Sequence, residues 1–222
     1  TVGTREYPEV LQNYFQHEGL AFRITPFDWT VTDDGYSDID KFYNNVMNRF
    51  KWGGIKENKN YYADETILRM IYTHRSIVIN LAHAMLVDGR PYEDIFALLE
   101  KLRTEIPCET IPYNSYKDNS VSLEEGRPSL LGIYAILCEY WEENDDNREA
   151  IKTLKARRDE LAETATKNEY EYLQWYGNLD HSKRSTQMVS LRIANLNRIF
   201  ATLGCEKIGN VSKHDVIKAI LE

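Results

Sequence analysis

Apolar side chains recur every three or four residues through most of this chain, and that spacing restricts the fold more than any other sequence feature. From Asp64 onward the recurrence continues, segment after segment, nearly to the C-terminus. Residues three and four apart lie on one face of an α-helix, so each segment predicts a helix with a single apolar side. Such helices must cover their apolar sides against one another. The sequence therefore predicts a mostly α fold.

Glycines, prolines and polar links separate the predicted helices. They cover approximately residues 64–89, 91–107, 128–143, 148–176 and 185–203, and a short terminal helix begins at Ser212. The link 88–90 is so short that its two helices must pack antiparallel as a hairpin. The starting positions do not repeat every 34 residues or so, as a consensus tetratricopeptide array requires. We expect an irregular tetratricopeptide-like stack of helical hairpins over residues 61–222.

The first sixty residues have a different pattern and predict a small α+β lobe, residues 1–60. A short helix is expected from Tyr7 to Glu18, and a second from a Ser37 cap to about Lys51. Between them, Leu20–Ile24 alternates with the period of a half-buried strand. The rest of the chain shows no convincing second strand. We therefore expect the strand's partner to lie upstream of Thr1, in a longer protein, since the chain also begins without Met.

Composition excludes several classes of function. The formal net charge of −8 argues against a general binder of nucleic acid. No apolar run approaches the roughly 18–20 residues that cross a bilayer. The three cysteines, Cys108, Cys138 and Cys205, are too far apart in sequence for a Cys-x-x-Cys site, and their redox state stays open. We expect no metal and no cofactor.

The sequence also predicts no catalytic residue. The common nucleophile, phosphate-binding and zinc-protease motifs do not occur. Neighbouring acidic pairs such as Asp145-Asp146 diverge by about 100° on a helix, or are solvated in a turn, so they do not flank a scissile bond. His74 and Arg75 are expected to anchor the first long helix through hydrogen bonds.

The small lobe contains the best candidates for binding, because flat apolar rings lie next to groups that form hydrogen bonds. Trp52, followed by Gly53 and Gly54, is the strongest of them. The alternative is that the rings form the core of the lobe and that the two glycines permit a turn with positive φ. The full set of candidate binding residues is Phe27, Asp28, Trp29, Arg49, Trp52, His74 and Arg75.

Several segments resemble the soluble C-terminal part of large bacterial membrane proteins related to protein O-mannosyltransferases. They are TVGTREYPEVLQNYF (1–15), EGLAFRITPF (18–27), NNVMNRFKWGG (44–54), LRM (68–70) and THR (73–75). The resemblance is clearest over residues 1–113 and fades after that. In that family a membrane-spanning N-terminal half carries the glycosyltransferase chemistry, and a tetratricopeptide-like tail faces the periplasm. The family's catalytic acidic residues match nothing in this chain.

The resemblance implies a non-catalytic domain on the periplasmic face of the inner membrane. Its expected role is to position a partner or polypeptide acceptor next to the membrane half, on a concave helical surface. The expected partner is a protein or peptide, with membrane attachment through the missing N-terminal half and no contact with nucleic acid. The alternative is a carbohydrate-binding module that uses Trp29 and Trp52.

Overall fold

The computed structural model describes residues 13–26, 28, 38–58, 60–114, 120–121, 129–144, 148–179 and 186–221. The described helices are α1 (Ile39–Asn48), α2 (Glu65–Val87), α3 (Tyr92–Glu105), α4 (Leu130–Asn144), α5 (Arg148–Gly177), α6 (Thr186–Leu203) and α7 (Lys213–Leu221). The described strands are β1 (Phe15–His17), β2 (Phe22–Ile24), β3 (Lys207–Ile208) and β4 (Val211–Ser212). The predicted mostly α fold with a small N-terminal α+β lobe is confirmed.

The chain packs as two compact units, Thr1–Thr110 and Ile111–Glu222. The predicted boundary at residues 60 and 61 lies inside the first unit. The first unit combines the small lobe with α2 and α3. Helices α2 and α3 pack against each other, as the short link between them requires. In the second unit, α5 packs against both α4 and α6. None of the described helices is long and apolar enough to cross a membrane.

The helix ends show why most of the predicted boundaries are correct. Asp64 caps α2 with a carboxylate that accepts a hydrogen bond from the backbone N–H of Ile67. Ser212 and Asp215 form a reciprocal capping box at the start of α7, with backbone-to-side-chain distances of 2.8 and 3.2 Å. The cap of α1 was predicted wrongly. It is Asp38, which accepts from the N–H of Lys41, and not Ser37, which lies outside the described residues.

The prediction of a lone strand near the N-terminus is wrong. Strand β1 pairs antiparallel with β2, with Phe15 opposite Ile24 and His17 opposite Phe22. The helix predicted over residues 7–18 is therefore also wrong where the chain is described, because Phe15–His17 is a strand; residues 7–12 lie outside the described part. The apolar spacing of Val10, Leu11, Tyr14 and Phe15 fits a helix. Phe15 instead lies in strand β1, and its side chain is buried there.

A second strand pair, between α6 and α7, was also missed. Strands β3 and β4 pair antiparallel, with Ile208 opposite Val211. Gly209 and Asn210 form the two-residue link, which is a recognised hairpin signal in sequence. Gly209 has φ of +55°, and a Cβ on it would lie 2.8 Å from a carboxylate oxygen of Glu163 on α5. The hairpin thus turns directly against α5.

This close approach predicts different effects for two glycine substitutions. Gly209→Ala should destabilise the protein slightly more than Gly204→Ala, because the exposed Glu163 side chain must move aside for the new methyl group, whereas Gly204 has a similar φ of +61° and no atom within 4 Å of a Cβ. The strained backbone alone costs about 1 kcal/mol. Urea unfolding measures both effects. Glu163→Ala should reduce the cost of Gly209→Ala to that of Gly204→Ala, and equal costs in the two single variants would contradict the packing.

Candidate functional site

A groove between the C-terminal end of α5 and helix α7 is the candidate functional site. Its volume is about 450 Å³, within the range of roughly 300–1,000 Å³ that is typical of ligand pockets. Its lining residues are Tyr170, Gln174, Gly177 and Asn178 from α5 and the residue after it, and Asp215, Lys218 and Ala219 from α7. The groove is therefore lined by a phenol, two amides and two groups of opposite charge.

The α5 side of the groove follows from the spacing of its residues. Tyr170, Gln174 and Asn178 are four residues apart and lie on one helical face. The backbone N–H of Asn178 donates to the carbonyl of Gln174 at 3.1 Å, so the helical geometry extends to the second amide. Gln174 and Asn178 are both exposed. At a rise of 1.5 Å per residue, their positions are separated by about 6 Å along the axis.

The α7 side is fixed by its capping box. The Asp215 carboxylate accepts hydrogen bonds from the backbone and the hydroxyl of Ser212. These bonds lower the pKa of Asp215, the side-chain bond having the larger effect. Lys218 and Ala219 follow one turn later on the same face. The charged edge of the groove thus begins at a carboxylate already held in place by the fold.

The two helices lie close to each other at the groove, next to Gly177. A Cβ on Gly177 would lie 3.9 Å from the carbonyl oxygen of Ala219. That is an ordinary van der Waals distance, so the backbones of α5 and α7 lie close together at this end of the groove. Leu173 on α5 and Val216 on α7 are both buried, which gives each helix an apolar side next to its groove side.

The position of α7 depends on the hairpin formed by α5 and α6. Within it, Nη1 of Arg192 contacts both carboxylate oxygens of Glu169, at 3.0 and 3.1 Å. Both side chains are buried, with exposed fractions of 9% for Arg192 and 2% for Glu169. The Arg192 guanidinium also lies 4.3 Å from the centre of the Tyr172 ring, which is a cation–π contact. This ion pair sets the register of α6 on α5.

The candidate residues predicted in the small lobe do not form one site in the described part of the chain. Phe27 and Trp29 lie outside the described residues. Asp28 is half-buried, and its polar groups already interact within the protein. Arg49 is exposed and forms the C-cap of α1.

Trp52 is half-buried and packs against Phe50. Its ring lies 5.8 Å from that of Phe50 at an angle of 56°, and its indole Nε1 is buried without a partner among the described residues. Gly53 and Gly54 have φ of +73° and +70°. The two glycines thus form the positive-φ turn that the sequence offered as the alternative. A ring packed in this way has less of its face available for stacking on a sugar.

His74 and Arg75 are neighbours on α2 but have different surroundings. Arg75 is only 1% exposed, as expected of an anchor for this helix. The ring nitrogen Nδ1 of His74 lies 2.7 Å from the carbonyl oxygen of Met70, one turn earlier. Adjacent residues on a helix diverge by about 100°, so the two side chains do not converge on a ligand.

One histidine outside the candidate set, His17, lies between two aromatic rings of the small lobe. The His17 ring stacks on Phe22 at 4.6 Å and meets the edge of Phe42 at 4.8 Å. Burial lowers the pKa of His17, and a backbone hydrogen bond with Gly19 opposes this in part. The ring is therefore held in its neutral form, as a packing group between strand and helix.

No family model, curated protein or solved structure matches this chain. The function of the groove must therefore be inferred from its own chemistry. The sequence does contain one signal for it, the polar face formed by Tyr170, Gln174 and Asn178. That signal does not reveal which helix lies opposite, because α7 begins more than thirty residues later.

The environment of His17 predicts a dependence of stability on pH. Because its folded pKa is below 6.5, the unfolded chain binds the proton more tightly. The stability that the neutral His17 ring contributes is complete above pH 6.5. It is lost as the pH falls from 6.5 through the folded pKa of His17. Urea unfolding between about pH 5 and 8 should show this loss, and His17→Phe should reduce it. His83→Phe, on α2, is the control; an unchanged pH slope in His17→Phe would contradict the prediction.

Proposed function

We propose that this chain is a non-catalytic binding domain that holds an extended polypeptide segment in the groove between α5 and α7. The observation that carries the proposal is the pair of exposed amides, Gln174 and Asn178, on the groove side of α5. Each amide can both donate and accept hydrogen bonds. A peptide backbone offers the same combination of donors and acceptors at every residue except proline.

The spacing of the two amides supports a polypeptide in particular. They are about 6 Å apart along the helix axis. In an extended chain, backbone groups that point to the same side repeat every two residues, or roughly 6.6–6.8 Å. One segment could therefore meet both amides with successive backbone groups. Asp215 and Lys218 on α7 would then select side chains along the opposite wall.

The aromatic residues around the groove are less suited to a glycan. Sugar stacking needs an exposed flat ring, whereas the ring that lines this groove, Tyr170, is half-buried. Trp175 is 55% exposed, but it follows Gln174 directly and so diverges from the groove face by about 100°. The carbohydrate-binding alternative, through Trp29 and Trp52, becomes the second outcome of the binding experiment.

The proposal includes a place for this domain in a larger protein. The segments that resemble the O-mannosyltransferase-related membrane proteins support it, and they lie in residues 1–113. In that arrangement the domain faces the periplasm and presents a polypeptide acceptor or a partner to the membrane half. Reading the gene upstream of Thr1 checks this part separately, because a membrane-spanning half should be encoded there.

A random peptide library displayed on phage tests the groove. We expect the full chain to select peptides, and Gln174→Ala with Asn178→Ala to weaken binding of a selected synthetic peptide by about tenfold. The size follows from two hydrogen bonds worth roughly 0.5–1.5 kcal/mol each. Isothermal titration calorimetry measures the change.

The matched control is the exposed amide pair Asn44 and Asn48 on α1, which has the same four-residue spacing. Alanine at both positions should leave the affinity unchanged. A glycan array is run in parallel on the same preparation. Failure to select any peptide, or selected peptides that bind the groove variant as tightly as the unmodified protein, would overturn the proposal. Glycan binding that is lost in Trp52→Ala would establish the alternative.

A further inference from the structure

The hairpin of α5 and α6 contains polar atoms that the described residues leave without partners. They are Oγ1 of Thr166, Oδ1 of Asn195 and Nε of Arg192. Thr166 and Asn195 are each only 1% exposed, and Arg192 is 7% exposed. A buried polar group without a hydrogen bond costs roughly 1–3 kcal/mol, so three in one hairpin call for a specific explanation.

The helix register brings these atoms to one region. The contact of Glu169 with Arg192 fixes the antiparallel pairing of α5 and α6. Thr166 lies three residues before Glu169 on α5, and Asn195 lies three residues after Arg192 on α6. This register predicts that Thr166 and Asn195 face each other, one turn from the ion pair. The Arg192 side chain lies on the same face of α6 as Asn195.

The same register predicts an apolar layer next to these polar atoms, with small side chains on α5 and larger ones on α6. Continuing the equal steps places Ala165 opposite Leu196 and Ala162 opposite Ile199. All four residues are buried. Buried polar groups that lack protein partners are the groups that an internal water usually binds.

We propose that Thr166, Asn195 and Arg192 form an internal water site between α5 and α6. The water donates to Oδ1 of Asn195 and accepts from Nε–H of Arg192. The Thr166 hydroxyl provides a third hydrogen bond, which matches the usual number for a buried water. The site extends the Glu169–Arg192 ion pair into a polar layer inside an otherwise apolar hairpin. This inference does not depend on the proposed peptide groove.

The direct test counts long-lived waters by oxygen-17 magnetic relaxation dispersion. The unmodified chain should contain at least one more such water than the Thr166→Val and Asn195→Leu double variant. Asn197→Leu with Thr202→Val, at exposed positions on α6, is the matched control and should leave the count unchanged. An equal count in the unmodified chain and the double variant would overturn the proposal.

Thermal unfolding of the single variant Thr166→Val distinguishes a hydroxyl bonded to water from a hydroxyl buried without a partner. The two cases change Tm in opposite directions. If water bonds to the hydroxyl, the variant loses that bond and Tm falls by roughly 3 °C. If the hydroxyl is buried without a partner, valine removes an unfavourable group and Tm rises. A high-resolution crystal structure of the unmodified chain would show the water directly. This measurement does not require any variant to fold. Direct bonding of Thr166 to Asn195, with no water between them, would also refute the site.

Discussion

The buried contact between Glu169 and Arg192 is the constraint on which the second unit depends. Removing two charges from water is costly, and only close pairing with good geometry offsets that cost. The pair forms at one register of α6 on α5, where Nη1 of Arg192 contacts both carboxylate oxygens of Glu169. A slip of either helix by one residue would leave both charges buried and apart. The apolar pairs of the hairpin could tolerate such a slip far better.

That register also fixes the positions of the hairpin and helix that come after α6. Once α6 is fixed, its end places the β3–β4 hairpin against α5, with Gly209 next to the Glu163 side chain. Helix α7 then begins at the Ser212–Asp215 capping box and lies alongside the C-terminal end of α5. The groove is the result of these steps. Its amides come from α5 and its charges from α7, so neither helix forms the site without the other.

The sequence predicts the helices of this fold well, because long apolar stripes and caps such as Asp64 and Ser212 are local signals. It finds β2 through the alternation of Leu20–Ile24, but it misses β1, β3 and β4, since strands of two or three residues give too few alternations to distinguish from other structure. The groove could not be predicted at all. Gln174 and Asp215 come to line one groove only through the packing of α5 against α7, and no spacing in the sequence indicates that packing. Trp52 attracted a binding interpretation through its residue type, whereas its burial against Phe50 depends on the fold.

Urea unfolding of Glu169→Met, Arg192→Met and the double variant tests the central claim most directly. If the ion pair sets the register, each single variant leaves one buried charge unpaired and should lose about 3–5 kcal/mol of unfolding free energy. The double variant replaces both charges with apolar side chains, and its stability should be close to that of the unmodified protein or above it. Single variants that lose less than about 1 kcal/mol would contradict the account, because the pair would then be incidental to the packing of α5 and α6.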